Sequence, residues 1–358
     1  VDRNERLKLK DELLEEIRRL PVGNVNLMEV CGTHTMAIAR SGLKRMLPEN
    51  IRLISGPGCP VCVTPQEEID EILKLSEREN VILATYGDMV RVPGSVPGDN
   101  LAGRKARGAA VEVVFSPMDA VEIARKNPGR EVVFLGVGFE TTAPGTAASI
   151  GVAHEEGVPN YSVLSLLKTC EPALRTLIAG ESFHVQGFLC PGHVAIIIGE
   201  EGLRFLPEEF GIPAVISGFE PEDILLSVYR LLEQIARGKP VLENEYSRLV
   251  SPSGNTMAKR MIERYLMPVD DLWRGLGRIP GSGLGIRPEY EAQDAAARFG
   301  IVFRESEKRS ACRCGDVIRG ELDPAECPLF GKSCVPEDPV GPCMVSGEGA
   351  CAAAYKYQ

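Results

Sequence analysis

Eleven of the 358 residues are cysteines, and their placement divides them into two groups. Cys31, Cys59, Cys62, Cys170 and Cys190 are scattered through the first 310 residues, whereas Cys312, Cys314, Cys327, Cys334, Cys343 and Cys351 fall within the last 47. Thiolates bind soft metals, attack electrophiles and exchange electrons through disulfides. The stretch "ISGPGCPVCVTP" (54–65) sets Cys59 and Cys62 three apart between prolines and glycines. Haem attachment would need His after the second Cys, where Val63 stands. A zinc knuckle would need a second Cys or His pair, and none follows for more than a hundred residues. A redox thiol pair and a rigid turn remain. Thr64-Pro65 followed by Glu67 has the form of a capping box. It puts a helix start just after Cys62, whose positive end would favour a thiolate.

In the tail, "CRCG", "CPLFGKSC", "GPCM" and "GEGAC" offer more thiols than the four a cubane cluster takes. The gaps between Cys314, Cys327, Cys334 and Cys351 are 12, 6 and 16 residues, without a C-x-x-C knuckle. That spacing disfavours a zinc ribbon and favours an iron–sulfur cluster, with structural zinc and plain buried thiols as the competing readings. "EVCGTHT" puts Cys31 and His34 on a strand-to-helix turn, where they would share a soft metal or the imidazole would activate the thiol. His193 in "CPGHV" lies at another strand end and is expected in the same cleft, a hydrogen-bonded structural histidine being the alternative. His154 and His184 read as structural. "GFETTAPGT" offers Glu140, Thr141 and Thr142 on a Gly-bounded loop, suited either to hydrogen-bonding a small anionic or cyanide-like ligand or to capping the next helix. It is neither a Walker loop nor a dinucleotide fingerprint.

Short β-prone runs that would carry these loops recur at 25–30, 51–55, 81–86, 111–115, 131–137, 161–166, 184–189 and 213–217. Most are separated by helix-length segments, the pattern of βαβ units in a parallel sheet. The functional loops then fall at the carboxyl ends of strands, in either a closed (β/α)8 barrel or two doubly wound lobes. Residues 3–20 have helical apolar spacing, Ser116-Pro117 marks a helix start, and 221–238 is one long amphipathic helix ending at Gly238. Beyond about residue 241 the rhythm stops. Another capped helix follows in "SPSGNTMAKRMIERYL", and a Gly-rich span, 274–287, leads toward the cysteine-dense tail.

A chain of this length has room for two or three domains and an ample core. Fifty acidic against 40 basic residues give a net charge of -10, which argues against a nucleic-acid groove and against an anionic membrane surface. The first twenty residues lack an apolar signal region and no run approaches a membrane span, so the expected compartment is the cytosol. Thiols there are metal ligands or redox groups more often than structural disulfides.

Taken together, "EVCGTHT", "GPGCPVC", "RVPG", "SPMDA", "GFETTAP", "PGHV", "GFEP" and "CPLFGKSC…GPCMVSGEGACAAAYKY" resemble the HypD family of hydrogenase maturation factors, in the family's order from about residue 27 onward. The resemblance implies an α/β fold of two doubly wound parallel-sheet lobes around a cleft, plus a small iron–sulfur domain built from the C-terminal region. The expected division is an N-terminal helix at 1–24 packing on the C-terminal domain, lobe I at 25–128, lobe II at 129–240 and the cluster domain at 241–358. The implied activity is that of a scaffold, monomeric alone, on which the Fe(CN)2CO unit of nickel–iron hydrogenases is assembled with the small chaperone HypC, while HypE delivers cyanide made through HypF.

Carried over by residue, Cys31 would hold the nascent iron together with a HypC cysteine, and Cys59 and Cys62 would be a dithiol/disulfide pair. Cys314, Cys327, Cys334 and Cys351 would hold a 4Fe-4S cluster, while Cys312 and Cys343 fall off the family pattern. His34, Glu140, Thr142 and His193 are assigned to the cleft. The expected relay runs from the cluster through the Cys59–Cys62 pair to iron near Cys31. Its rivals are a stand-alone thiol oxidoreductase of the ferredoxin-dependent type, which would not need Cys31, and a zinc-stabilised binding protein without redox chemistry.

Overall fold

The computed structural model describes residues 3–305 and 311–357. The eight expected strands form where the β-prone runs lie: β1 (Val25–Glu29), β2 (Ile51–Ser55), β3 (Val81–Thr85), β4 (Val111–Val113), β5 (Glu131–Gly138), β6 (Tyr161–Leu167), β7 (Gly187–Pro191) and β8 (Ala214–Ser217). They build two separate parallel sheets. One has the order β2-β1-β7-β8-β9, completed by the short strand β9 (Leu242–Asn244), and the other the order β4-β3-β5-β6. Every neighbouring pair is parallel. A closed barrel is therefore excluded, and two lobes are found.

The lobes are not successive in the chain. The expected division at 128/129 is replaced by an interleaved one, in which β1 and β2 share a sheet with β7 to β9 while β3 to β6 form the other. The chain crosses between sheets after β2 and returns after β6. A run of β-prone residues records that a strand forms and leaves its neighbour open, because parallel partners are joined through long crossovers.

Helix Arg3–Arg19 buries Leu13, Leu14 and Ile17 against Ile224, Val228 and Leu231 of helix Pro221–Arg237, whose C-terminus closes on left-handed Gly238. No described residue of 241–358 shares that core, so the N-terminal helix packs on the first sheet's flanking helix and not on the C-terminal region. The two apolar stripes complement each other.

The Gly-rich span holds a surprise. Residues Leu266–Trp273 (β10) and Gly277–Ile286 (β11) pair as an antiparallel hairpin. A Cβ on Gly283 or Gly285 would lie 2.7 or 2.8 Å from the Asp271 or Val269 side chain, so glycine lets the partner strand approach. The hairpin docks beside β6 through a Lys168 to Gly283 bridge.

Candidate functional site: thiols at the carboxyl edges of two sheets

Cys31 ends β1 and begins helix Gly32–Ser41 in extended conformation, as the strand-to-helix reading requires. It is buried. Glu29, two residues earlier, accepts the Cys31 amide N–H at 3.0 Å on one oxygen and the Thr35 hydroxyl on the other. Burial raises the Glu29 carboxyl to about 7. Burial likewise pushes the Cys31 thiol up to about 12, with Glu348 and Glu29 adding to it and the His34 and Thr33 amides opposing. A thiol so placed gives up its proton to a metal ion far more readily than to water.

His34 is fully buried, and its Nε2 lies 2.8 Å from the Gly218 carbonyl. A carbonyl only accepts, so Nε2 carries the proton and Nδ1 keeps a bare lone pair. Nδ1 has no partner among the described residues. Burial holds this imidazole down to about 4, so it is neutral at physiological pH. Phe219 of the "GFEP" loop stacks between His34, at 4.6 Å, and exposed His193, at 3.9 Å. The two histidines expected to converge are thus joined through one ring.

The "GPGCPVC" loop lies directly on this turn. Gly58 accepts the Gly32 N–H at 2.9 Å, and a Cβ on Gly58 would fall 2.2 Å from the Cys31 nitrogen. Cys59 and Cys62 are joined as a disulfide. Cys59 precedes the single turn Pro60–Val63, and its sulfur accepts the Cys62 N–H at 3.2 Å. The capping box expected at Thr64 does not form: its hydroxyl donates to the Pro60 carbonyl at 2.9 Å, and helix Gln66–Leu75 starts after Pro65 without a side-chain cap. Any helix-end effect on the pair comes from the turn that Cys59 itself opens.

From the second sheet, the loop after β5 brings buried Glu140, and the segment after β6 brings Cys170 at the start of helix Cys170–Ile178. One Glu140 oxygen accepts the Cys170 N–H at 2.7 Å; the other has no partner among the described residues. Burial raises the Glu140 carboxyl. Cys170, raised by burial and by Glu140, lies close enough to Cys31 and Cys190 for their charges to act on it. The Thr142 hydroxyl turns back to the Phe139 carbonyl at 3.2 Å and does not cap the following helix.

The tail folds over both sets of loops. Glu348 accepts from Thr33 at 2.8 Å, and Asp88, after β3, accepts from the Ser346 hydroxyl at 2.8 Å. Cys59, Cys62, Cys343 and Glu348 line one small cavity. A second, apolar one is lined by Cys312, Cys314, Cys327, Cys334 and Cys351 together with Leu329, Phe330 and Met344. Within it Cys312 and Cys314 are 3.0 Å apart at sulfur, and hydrogen bonds from Cys314 and Cys343 hold the Cys351 thiol down to about 6. The sulfurs engage one another and do not surround a common point: among the described residues no three or more His, Cys, Asp or Glu have metal-holding geometry. In type and number, five thiols around an apolar cavity fit the donor set of an iron–sulfur cluster. A wider cavity of about 640 Å³, lined by His154, Glu291 and Arg298, lies near the amino end of β6 and takes in none of these loops. Among the described residues no helix is long and apolar enough to cross a membrane.

A family model described as "HypD: Hydrogenase formation hypA family" matches residues 8–358. The chain belongs to the HypD family. Hydrogenase maturation factor HypD of Rhodobacter capsulatus is 44% identical over 357 residues, covering 96% of this chain and 94% of the relative. The factors of the same name from Escherichia coli K12, 43% identical over 335 residues and covering 93% and 89%, and HypD2 of Bradyrhizobium diazoefficiens, 45% over 337 residues and covering 92% and 88%, match comparably.

Within this HypD family member the fold brings Cys31, His34, Cys59, Cys62 and His193 to neighbouring loops, with Glu140 linked through Cys170. Cys312 joins the expected Cys314, Cys327, Cys334 and Cys351 at the tail cavity, and Cys343, which lines the disulfide's cavity, also hydrogen-bonds to Cys314 and Cys351. Glu29, Phe219 and Glu348 were missed by sequence reasoning. "EV" before "CGTHT" carried one usable signal, a carboxylate where an interior strand end should be apolar.

Proposed function

We propose that this chain is the assembly scaffold of nickel–iron hydrogenase maturation, handling an iron substrate at Cys31 and two electrons at Cys59–Cys62. The observation that carries the reading is the contact between the two loops, with Gly58 backed onto Cys31 and the Gly32 N–H bonded to the Gly58 carbonyl. The Cys31 thiol loses its proton on meeting iron, and a cysteine of a HypC-type chaperone would complete the grip. The bare Nδ1 lone pair of neutral His34 accepts a hydrogen bond or donates to a metal without first losing a proton. Glu140, its carboxyl raised by burial, stands near the thiols, while cyanide arrives from HypE bound for the Fe(CN)2CO unit. The protein thus serves as a scaffold with thiol chemistry in the cytosol, and not as a turnover enzyme on a small molecule.

Cys314, Cys327, Cys334 and Cys351 would hold a 4Fe-4S cluster in the tail cavity, with Cys312 within reach of the same place. Such a cluster, when bound, supplies one-electron transfer. The experiment is anaerobic purification with iron, zinc and acid-labile sulfide analysis, paired with maturation of a hydrogenase by Cys31→Ser, Cys59→Ser and Cys62→Ser. Each variant is expected to keep its iron and sulfide and lose maturation. Full maturation by C59S or C62S would overturn the redox role, and by C31S the iron grip.

A further inference from the structure

The hairpin that the sequence did not announce ends its first strand at Trp273, and the next residue points both ways. The Arg274 N–H donates to the Val63 carbonyl at 2.8 Å, and its Nε and Nη2 donate to the Thr64 carbonyl at 3.1 and 2.8 Å. Val63 and Thr64 follow Cys62, so these three donors pair carbonyls at the end of the disulfide's own turn. On the far side, left-handed Gly275 backs onto Gly315, where a Cβ would lie 2.5 Å from the Gly315 Cα, and Arg319 donates to the Gly275 carbonyl at 2.6 Å. Gly315 belongs to helix Cys314–Ile318. Among the described residues no carboxylate forms an ion pair with Arg274, while the hairpin behind it is fixed by Lys168 to Asp271 and by Trp273 Nε1 to Ser282.

We propose that Arg274 is a positioning residue for the redox pair: it fixes the disulfide turn against the cysteine tail, and its charge favours the reduced form of Cys59 and Cys62. The proposal rests on the redox reading above. Reduction breaks the S–S bond with two electrons from a dithiol, which closes to its own disulfide, and takes up two protons, or one where one of the two sulfurs stays a thiolate. A guanidinium at the turn stabilises that thiolate and with it the reduced form.

The test uses the full chain, as wild type, Arg274→Gln and Arg274→Lys, equilibrated in mixtures of reduced and oxidised dithiothreitol and then alkylated. The tryptic peptide 53–74 carries Cys59 and Cys62 and no other cysteine, so its mass reads this pair alone. R274Q is expected to move the equilibrium about tenfold toward the disulfide, about 30 mV for a two-electron couple. R274K, which keeps the charge and guards against a folding defect, is expected to stay within about twofold of wild type. A folded R274Q that titrates like wild type overturns the proposal, as does an R274K shifted as far as R274Q, since a purely structural contact would not distinguish charge. If the wild-type pair titrates and R274Q shifts while C59S still matures hydrogenase, the redox reading of maturation falls and the assignment of Arg274 stands. A wild-type disulfide that never opens in excess dithiothreitol overturns both.

Discussion

Glu29 closes β1 with both carboxyl oxygens engaged, one on the Cys31 amide and one on the Thr35 hydroxyl, inside a fully buried pocket. Replacing it with Ala strands the Cys31 N–H and leaves the Thr35 hydroxyl only the Cys31 carbonyl at 3.4 Å, and a buried unsatisfied donor costs about 1–3 kcal/mol. Urea denaturation should show E29A losing about that much and E29Q less, because the amide keeps one acceptor in place. An E29A midpoint equal to wild type would mean that water satisfies both groups. Gly58→Ala addresses the neighbouring contact. Its methyl would meet Cys31 backbone, which has no flexible end to give way, so about 1–3 kcal/mol of overpacking is expected together with loss of maturation. At this scale the thiols were legible, because their chemistry is written in the residue type. Glu348 and Phe219 were not, since each gains its role from a contact more than 180 residues away along the chain, with Thr33 and His34. Thr64 was misread for a related reason. The letters of a capping box were present, but the Pro60 carbonyl of the preceding turn took the hydroxyl.

Among the elements, the eight strands of the βα rhythm were legible and the β10–β11 hairpin was not. Its glycines look like a linker until a partner strand shows why side chains are excluded at 283 and 285. What anchors the hairpin is a buried charge cluster. Lys168, 1% exposed, reaches Asp271 at 2.8 Å, the Leu272 carbonyl at 2.7 Å and Glu68 of helix Gln66–Leu75 at 3.3 Å. Burial raises the Glu68 carboxyl to about 8, against the pull of Lys168. The folded chain then binds this proton more tightly than the unfolded chain. The stability it contributes is complete below the ordinary carboxylate value of 4.5 and is lost as pH rises through about 8. Chemical denaturation at pH 6 and pH 9 should therefore show wild type weakening with pH and E68Q weakening less. Equal slopes would assign the loss to other groups. Lys168→Met, which leaves Asp271 without its cation beside Glu68, should cost about 3–5 kcal/mol.

Over the whole molecule, the two crossings between sheets explain why the site lies where it does. The first crossing, after β2, carries the disulfide; the second, after β6, carries Lys168 and Cys170; the tail then closes over both. A pattern of strands and helices does not say which sheet each strand joins, so the strands were legible, the two lobes came from the family resemblance, and their interleaving was not legible. The same limit applies to the tail, where spacing alone cannot choose four ligands among six thiols. The fold sorts the six without choosing four: five line the apolar cavity, and Cys343 lines the disulfide's cavity while hydrogen-bonding to Cys314 and Cys351. The proposed set of Cys314, Cys327, Cys334 and Cys351 lies wholly among the five, with Cys312, 3.0 Å from Cys314 at sulfur, as the alternative to it. Single Ser variants should sort accordingly. For the proposed cluster, C314S, C327S, C334S and C351S should each lose iron and acid-labile sulfide after anaerobic reconstitution, whereas C343S should keep them. Retention by C314S with loss from C312S would move the fourth ligand by two residues without disturbing the cluster assignment. Stoichiometric zinc without sulfide in every variant would remove the cluster, and leave the tail as a structural clamp on Cys31 and the disulfide.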